Sequence, residues 1–155
     1  MRRASGDELD ASTLHALLKL RAEVFIAEQQ SPWLDVDGRD LDPSTVHLWV
    51  PDDAGDGAVA TVRITDEGGG VARIGRVCAA PSHRGRGLIG ALMTAALAEL
   101  DGRACLLEAQ SHLEAMYAKY GFAREGDEFI DDGAERVAVR HRRASSWGRA
   151  GCRPR

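Results

Sequence analysis

The sequence is poor in the residues that staple, anchor or metallate a chain. Cysteine occurs three times, as Cys78, Cys105 and Cys152, an odd number with no C-x-x-C spacing. That gives no disulfide framework and fits a reducing compartment, with Cys78 and Cys105 as small core residues. A nucleophilic cysteine stays open at this point. No window approaches the ~18 apolar residues that a membrane span needs. Met1-Arg2-Arg3 is followed by polar residues, so no secretory leader is expected and the cytoplasm is the expected location. His15, His47, His83 and His141 show no metal-ligand spacing. Asp35-x-Asp37 has the opening spacing of a calcium loop, but Arg39, Asp40 and Val46 stand where an oxygen ligand, a glycine and a glutamate are needed. No metal site is expected. The net charge of −4 gives no general affinity for nucleic acid.

What is present suffices for a folded domain. The 155 residues are 44% apolar and 28% charged, enough to bury a core without metal or disulfide help. The charge is uneven: seven aspartates lie between Asp35 and Asp56, and six arginines with no acid between Arg140 and Arg155. The first stretch reads as a solvated loop. Residues 144–155 read as a disordered basic tail behind a domain of residues 1–143.

Leu14, Leu17, Leu18, Val24 and Phe25 form an apolar stripe at helical spacing, with Asp10 or Ser12 as its cap. Strands are expected at Val46–Val50, Ala58–Ile64 and Val71–Ala80, the last two joined by Gly68-Gly69-Gly70. Leu88 to Leu100 is a second helix, and Ala104–Ala109 a buried strand returning parallel, so residues 71–109 make one βαβ unit. Ser111-His112-Leu113-Glu114 has the form of a capping box opening a short helix that Gly121 ends. Phe122–Ile130 and Ala134–Arg140 are expected to pair through an Asp131-Asp132-Gly133 turn.

The chemistry concentrates in Val77–Gly90, V-C-A-A-P-S-H-R-G-R-G-L-I-G. Gly85, Gly87 and Gly90 let backbone N–H groups approach a ligand, and the helix start adds unpaired donors. Arg84 and Arg86 add full charges, so the turn is built for phosphate. Gly85-x-Gly87-x-x-Gly90 also spells the dinucleotide fingerprint. However, Pro81-Ser82-His83-Arg84 separates it from its strand, two arginines crowd it, and the chain offers one βαβ unit only. A Walker loop is excluded, since no Lys-Ser or Lys-Thr pair follows the glycines.

Arg84-Gly85-Arg86-Gly87-Leu88 resembles the pyrophosphate loop of the GNAT superfamily of acetyl-CoA-dependent N-acetyltransferases, of form (Arg or Gln)-x-x-Gly-x-(Gly or Ala). The element order agrees. So do Leu17-Lys19-Leu20-Arg21-x-x-Val24-Phe25, Glu28-Gln29-Gln30, Leu34-Asp35-x-Asp37-Gly38-Arg39-Asp40, Arg73-Ile74-Gly75-Arg76-Val77 and Ala109-Gln110-x-His112-Leu113-x-x-x-Tyr117-x-x-x-Gly121-Phe122. These resemble the ElaA-like branch over residues 14–140. Two positions depart: Ile89 stands at the motif's last small residue, and Arg136 where the branch tends to carry histidine.

The resemblance implies an α+β GNAT fold: a mixed, mostly antiparallel sheet flanked by helices around one βαβ unit. It implies acetyl-CoA as co-substrate, with Val77, Cys78 and Ala79 along the pantetheine arm and Arg84, Gly85, Arg86, Gly87, Leu88, Ile89 and Gly90 around the diphosphate. Tyr117 occupies the place of the family's general acid, and Glu28, Glu108 and His112 are the candidates for the base. A small-molecule or peptide amine is the implied acceptor, with neither nucleic acid nor membrane as partner, in a monomer or homodimer. A catalytically silent acyl-CoA-binding module is the competing reading, and a dinucleotide enzyme the third.

Overall fold

The computed structural model describes residues 1–131 and 134–141. The tail 144–155, Cys152 and the Asp132–Gly133 part of the expected turn lie outside them.

Eight strands form one sheet: β1 Arg2–Ser5, β2 Val46–Pro51, β3 Ala58–Gly68, β4 Val71–Ala79, β5 Ala104–Gln110, β6 Phe122–Arg124, β7 Phe129–Asp131 and β8 Ala134–His141. Their order is β1-β2-β3-β4-β5-β8-β6, with β7 also on β8. Among the described residues only β4 and β5 pair parallel, so the architecture is mixed and mostly antiparallel, as expected. α2 (Leu88–Glu99) crosses from β4 to β5 and completes the βαβ unit. It buries Leu92, Met93 and Ala96 against Val62, Ile64, Ile74 and Leu107 of the sheet. α1 (Ala11–Arg21), capped by Asp10 accepting from the Thr13 N–H, lies on the other face. There Leu20, Val24 and Phe25 meet Cys78.

Four local expectations change. The polar first residues form β1, an edge strand too short and charged to alternate. Ser111–Leu113 is a 3-10 turn before α3 (Glu114–Ala118), and the Ser111 hydroxyl is buried without a partner instead of capping the helix. The strand expected over Phe122–Ile130 is broken into β6 and β7. Gly126 at φ 88° turns the chain out between them, and both halves dock on β8.

The largest change concerns the aspartate loop, which is anchored, not solvated. Arg21, 1% exposed, holds Asp35 at 2.9 Å and Asp40 at 2.6 Å. Arg63 grips Asp37 and Asp40, and Arg76 pairs with Asp35 at 2.9 Å and Asp37 at 3.3 Å. Three cations and three anions thus neutralise one another beneath the loop. Burial opposes ionisation of Asp37 and Asp40, but the arginine hydrogen bonds and charges outweigh it and hold both carboxyls below their usual range.

His47 sits beside this cluster, its Nε2 donating to the Asp40 carbonyl at 2.8 Å. Burial, then the charges of Arg21 and Arg63, push its pKa down, against the pull of Asp40. Native His47 therefore stays neutral where an unfolded histidine takes up a proton. Stability should be full above the ordinary histidine pKa of ~6.5 and fall by up to about 1.4 kcal/mol per pH unit below it. Urea titrations from pH 7.5 to 5 check this, and His47→Gln should flatten the slope by about one proton.

Candidate active site

The parallel ladder between β4 and β5 runs Val71–Ala104, Ala72–Cys105, Arg73–Leu106 and stops. Beyond it the strands part, because β4 carries a bulge. Its pairing with β3 moves from Arg63–Gly75 to Thr61–Cys78, leaving one extra residue on β4. Arg76 takes up the strain at φ 54°, a left-handed backbone rare for non-glycine residues, and its ion pairs to Asp35 and Asp37 hold it there. The buried charge cluster thereby shapes the opening.

The opening is a cavity of about 350 Å³, walled by Ile74, Gly75 and Val77 of β4 and Leu107 and Glu108 of β5. His112, Tyr117, Phe25, Gln29, Trp33 and Arg136 complete the lining. Tyr117 is 5% exposed and stacks edge-on to Phe122 at 6.1 Å between centroids. Burial pushes its phenol up to about 12. Glu108 faces the cleft but is tied to Arg73 at 2.6 Å. Trp33 carries the Arg136 guanidinium 3.8 Å over its ring, while its indole N–H is buried without a hydrogen-bond partner.

Further along β4, past Ala79, lies a second hollow of about 130 Å³ lined by His83, Arg84, Gly85 and residues Gly87–Gly90. Gly85 and Gly87 both adopt φ 75°, so the turn is glycine-dependent, and a Cβ on either would meet nothing within 4 Å. Gly87 caps α2 without a side-chain bond, leaving the N–H groups of the first turn for a ligand. Such a bare, donor-lined turn fits a diphosphate. The Ile89 side chain packs on the main core, and glycine at 90 answers a different demand: a Cβ there would lie 3.0 Å from the Tyr120 hydroxyl.

The two arginines of the turn separate in role. Arg84 is already engaged, its Nη1 and Nη2 donating to Glu28 at 2.7 and 2.6 Å and its Nε to the Ala79 carbonyl. Arg86 is exposed and makes no hydrogen bond or ion pair among the described residues. Glu28 lines neither hollow, and the bond from Arg84 holds its carboxyl below the usual range, which weakens it as a base. Cys78 turns away from the cleft into the α1 side. Burial pushes the Cys78 and Cys105 thiols up to about 12 and about 11, so neither is a nucleophile.

Of the residues named from sequence, Val77, His112, Tyr117 and Glu108 meet at the cleft. Ala79, Arg84, Gly85, Gly87, Leu88, Ile89 and Gly90 meet at the turn. Sequence reasoning missed Gly75, Arg76, Trp33 and Gln29. The available signals were a glycine inside a strand pattern and a lone tryptophan in an aspartate-rich loop.

A splayed parallel strand pair leading to a glycine turn at a helix start defines the acyl-CoA N-acyltransferase fold. A crystal structure of an acyl-CoA N-acyltransferase from Pseudomonas aeruginosa superposes with a TM-score of 0.84 at 34% identity, covering 90% of this chain and 97% of that one. That of Escherichia coli ElaA gives 0.83 at 31%, with the same coverage. A UPF0039 protein of Mycobacterium tuberculosis is 46% identical over 142 residues, 90% of each chain. The acetyltransferase (GNAT) domain family matches residues 13–141. The chain belongs to the GNAT acetyltransferase family and is ElaA-like.

Proposed function

We propose that this protein transfers the acetyl group of acetyl-CoA to a primary amine by direct attack, both reactants lying in the cleft between β4 and β5. The supporting observation is continuity: the cleft holding Tyr117 and the bare glycine turn lie on one strand, joined by Val77–Ala79. Bound acetyl-CoA supplies an activated acyl carbon. The first-turn N–H groups of α2 and the exposed cation of Arg86 hold its diphosphate, while Arg84 braces the turn against Glu28. Backbone groups of β4 that have lost their β5 partner line the cleft at Val77 and polarise the thioester carbonyl.

Tyr117 donates a hydrogen bond to the sulfur as the carbon–sulfur bond breaks. A phenol near 12 is too weak to give its proton outright to a thiolate of pKa ~8.5, so the proton that ends on sulfur comes on balance from the amine. His112 is the imidazole at the cleft and takes the base role, since Glu28 is spent on Arg84 and Glu108 on Arg73.

The test is release of CoA thiol from acetyl-CoA in the presence of pooled primary amines, with acetylated product read by mass. Turnover that needs both components is expected. Binding of acetyl-CoA with no turnover on any amine would make the protein a silent acyl-CoA-binding module.

A further inference from the structure

Every described glycine but one has a structural reason to be glycine. Gly38, Gly55, Gly68, Gly69, Gly70, Gly85, Gly87, Gly102, Gly121 and Gly126 have left-handed φ values. At Gly6, Gly57 and Gly90 an added Cβ would run into a neighbour. Gly75 has neither feature: its φ is not left-handed, and a Cβ built on it meets no atom within 4 Å. It lies inside β4 beside the bulge, but the left-handed residue of that bulge is Arg76, so the bulge itself does not require glycine at 75, and an interior strand glycine then marks a close approach of another group to the backbone.

The surroundings show where that group lies. Gly75 stands opposite Arg63, on the face away from the core-directed Ile74, and lines the cleft between the end of the β4–β5 ladder and Val77. The two side chains flanking this bare stretch are turned aside by ion pairs, Arg73 to Glu67 and Glu108, Arg76 to Asp35 and Asp37. Among the described residues none beyond its chain neighbours comes within 4 Å of where a side chain at 75 would begin.

We infer that the strip of backbone at Gly75 is the seat of the acceptor, a primary amine on an unbranched methylene carbon, and that the missing side chain is what admits it. This rests on the acetyltransferase reading above. Gly75 lies two residues before Val77 on the wall of the same cavity, so a CH2–NH2 group occupying the place of the missing side chain lies in the same cleft as the thioester proposed at Val77.

The test compares wild type with Gly75→Ala and Gly75→Val, using acetyl-CoA, n-alkyl and lysine-like amines, and their α-branched isomers. Wild type should favour the unbranched amines. Both variants should melt no lower than wild type, since alanine and valine suit a strand better than glycine. Acetyl-CoA affinity by calorimetry should stay within about twofold, while the KM for amine rises about tenfold with alanine and further with valine, the scale of one misplaced methylene. Unchanged amine KM in folded variants would overturn the inference and leave the acetyltransferase reading intact. So would a changed preference among acetyl-, propionyl- and butyryl-CoA at constant amine KM, which would assign the gap to the acyl chain. Absence of wild-type turnover on every amine would overturn both.

Discussion

Replacing Arg21 with alanine should destabilise the protein by about 3–5 kcal/mol, the cost of leaving buried charge without its counter-ion. The guanidinium bonds the carboxylates of both Asp35 and Asp40 and also the Asp35 carbonyl at 2.8 Å. Arg21, Asp35 and Asp40 are all buried, so the truncation leaves both carboxylates short of a cation and away from bulk solvent. Domains of this size are stable by about 5–15 kcal/mol, so the loss is a large share of the total and should appear as a markedly lower urea midpoint. The deficit should shrink as pH falls. In the native protein Asp40 is held below the usual carboxylate range, and its stabilising contribution is present above the unfolded pKa of ~3.9 and lost as pH falls through the folded value. Without Arg21 that carboxyl protonates more readily, which relieves the unpaired charge. A deficit under about 1 kcal/mol would mean that Arg63 and Arg76 suffice to neutralise the loop. The variant should also lose activity beyond its loss of folded material, since Asp35 anchors Arg76 at the bulge that opens the cleft.

The same cluster shows what a sequence reveals and what it conceals. The βαβ unit and the glycine turn were legible because each is written locally: a strand pattern, a turn with positive-φ glycines, then a helical stripe from Leu88 to Leu100. The charge cluster was not. Its partners lie 14 to 41 residues apart, from Arg21–Asp35 to Asp35–Arg76, and an aspartate-rich run reads as solvated until three arginines arrive from α1, β3 and β4. Glu28 misled for the same reason. Its place at the end of the first helical region was read correctly, but its pairing with Arg84 across 56 residues was invisible. Tyr117 was legible by position alone, while its burial and its place in the cleft came from packing.

The change from Tyr117 to phenylalanine separates chemistry from packing in one atom. Phenylalanine keeps the edge-on contact with Phe122 and the buried ring volume, and the lost hydroxyl makes no hydrogen bond to the described residues. Melting temperature should therefore hold or rise. Under the proposed mechanism kcat should fall about 10²–10³-fold, the range for losing one positioned hydrogen-bond donor to a developing negative charge, with the KM for acetyl-CoA little changed. The pH dependence sharpens the test. Burial raises the phenol to about 12, so it keeps its proton across the working range, and the wild-type rate should show no falling alkaline limb assignable to Tyr117 below about pH 11. Linkage runs the same way: a raised folded pKa gives stability that is whole below the unfolded tyrosine value of ~10 and lost as pH rises through 12. Tyr117→Phe should remove that alkaline loss and lower the rate by one factor at every pH. An unchanged kcat would reduce Tyr117 to a core residue, and the departing sulfur would then take its stabilisation from another group or from solvent.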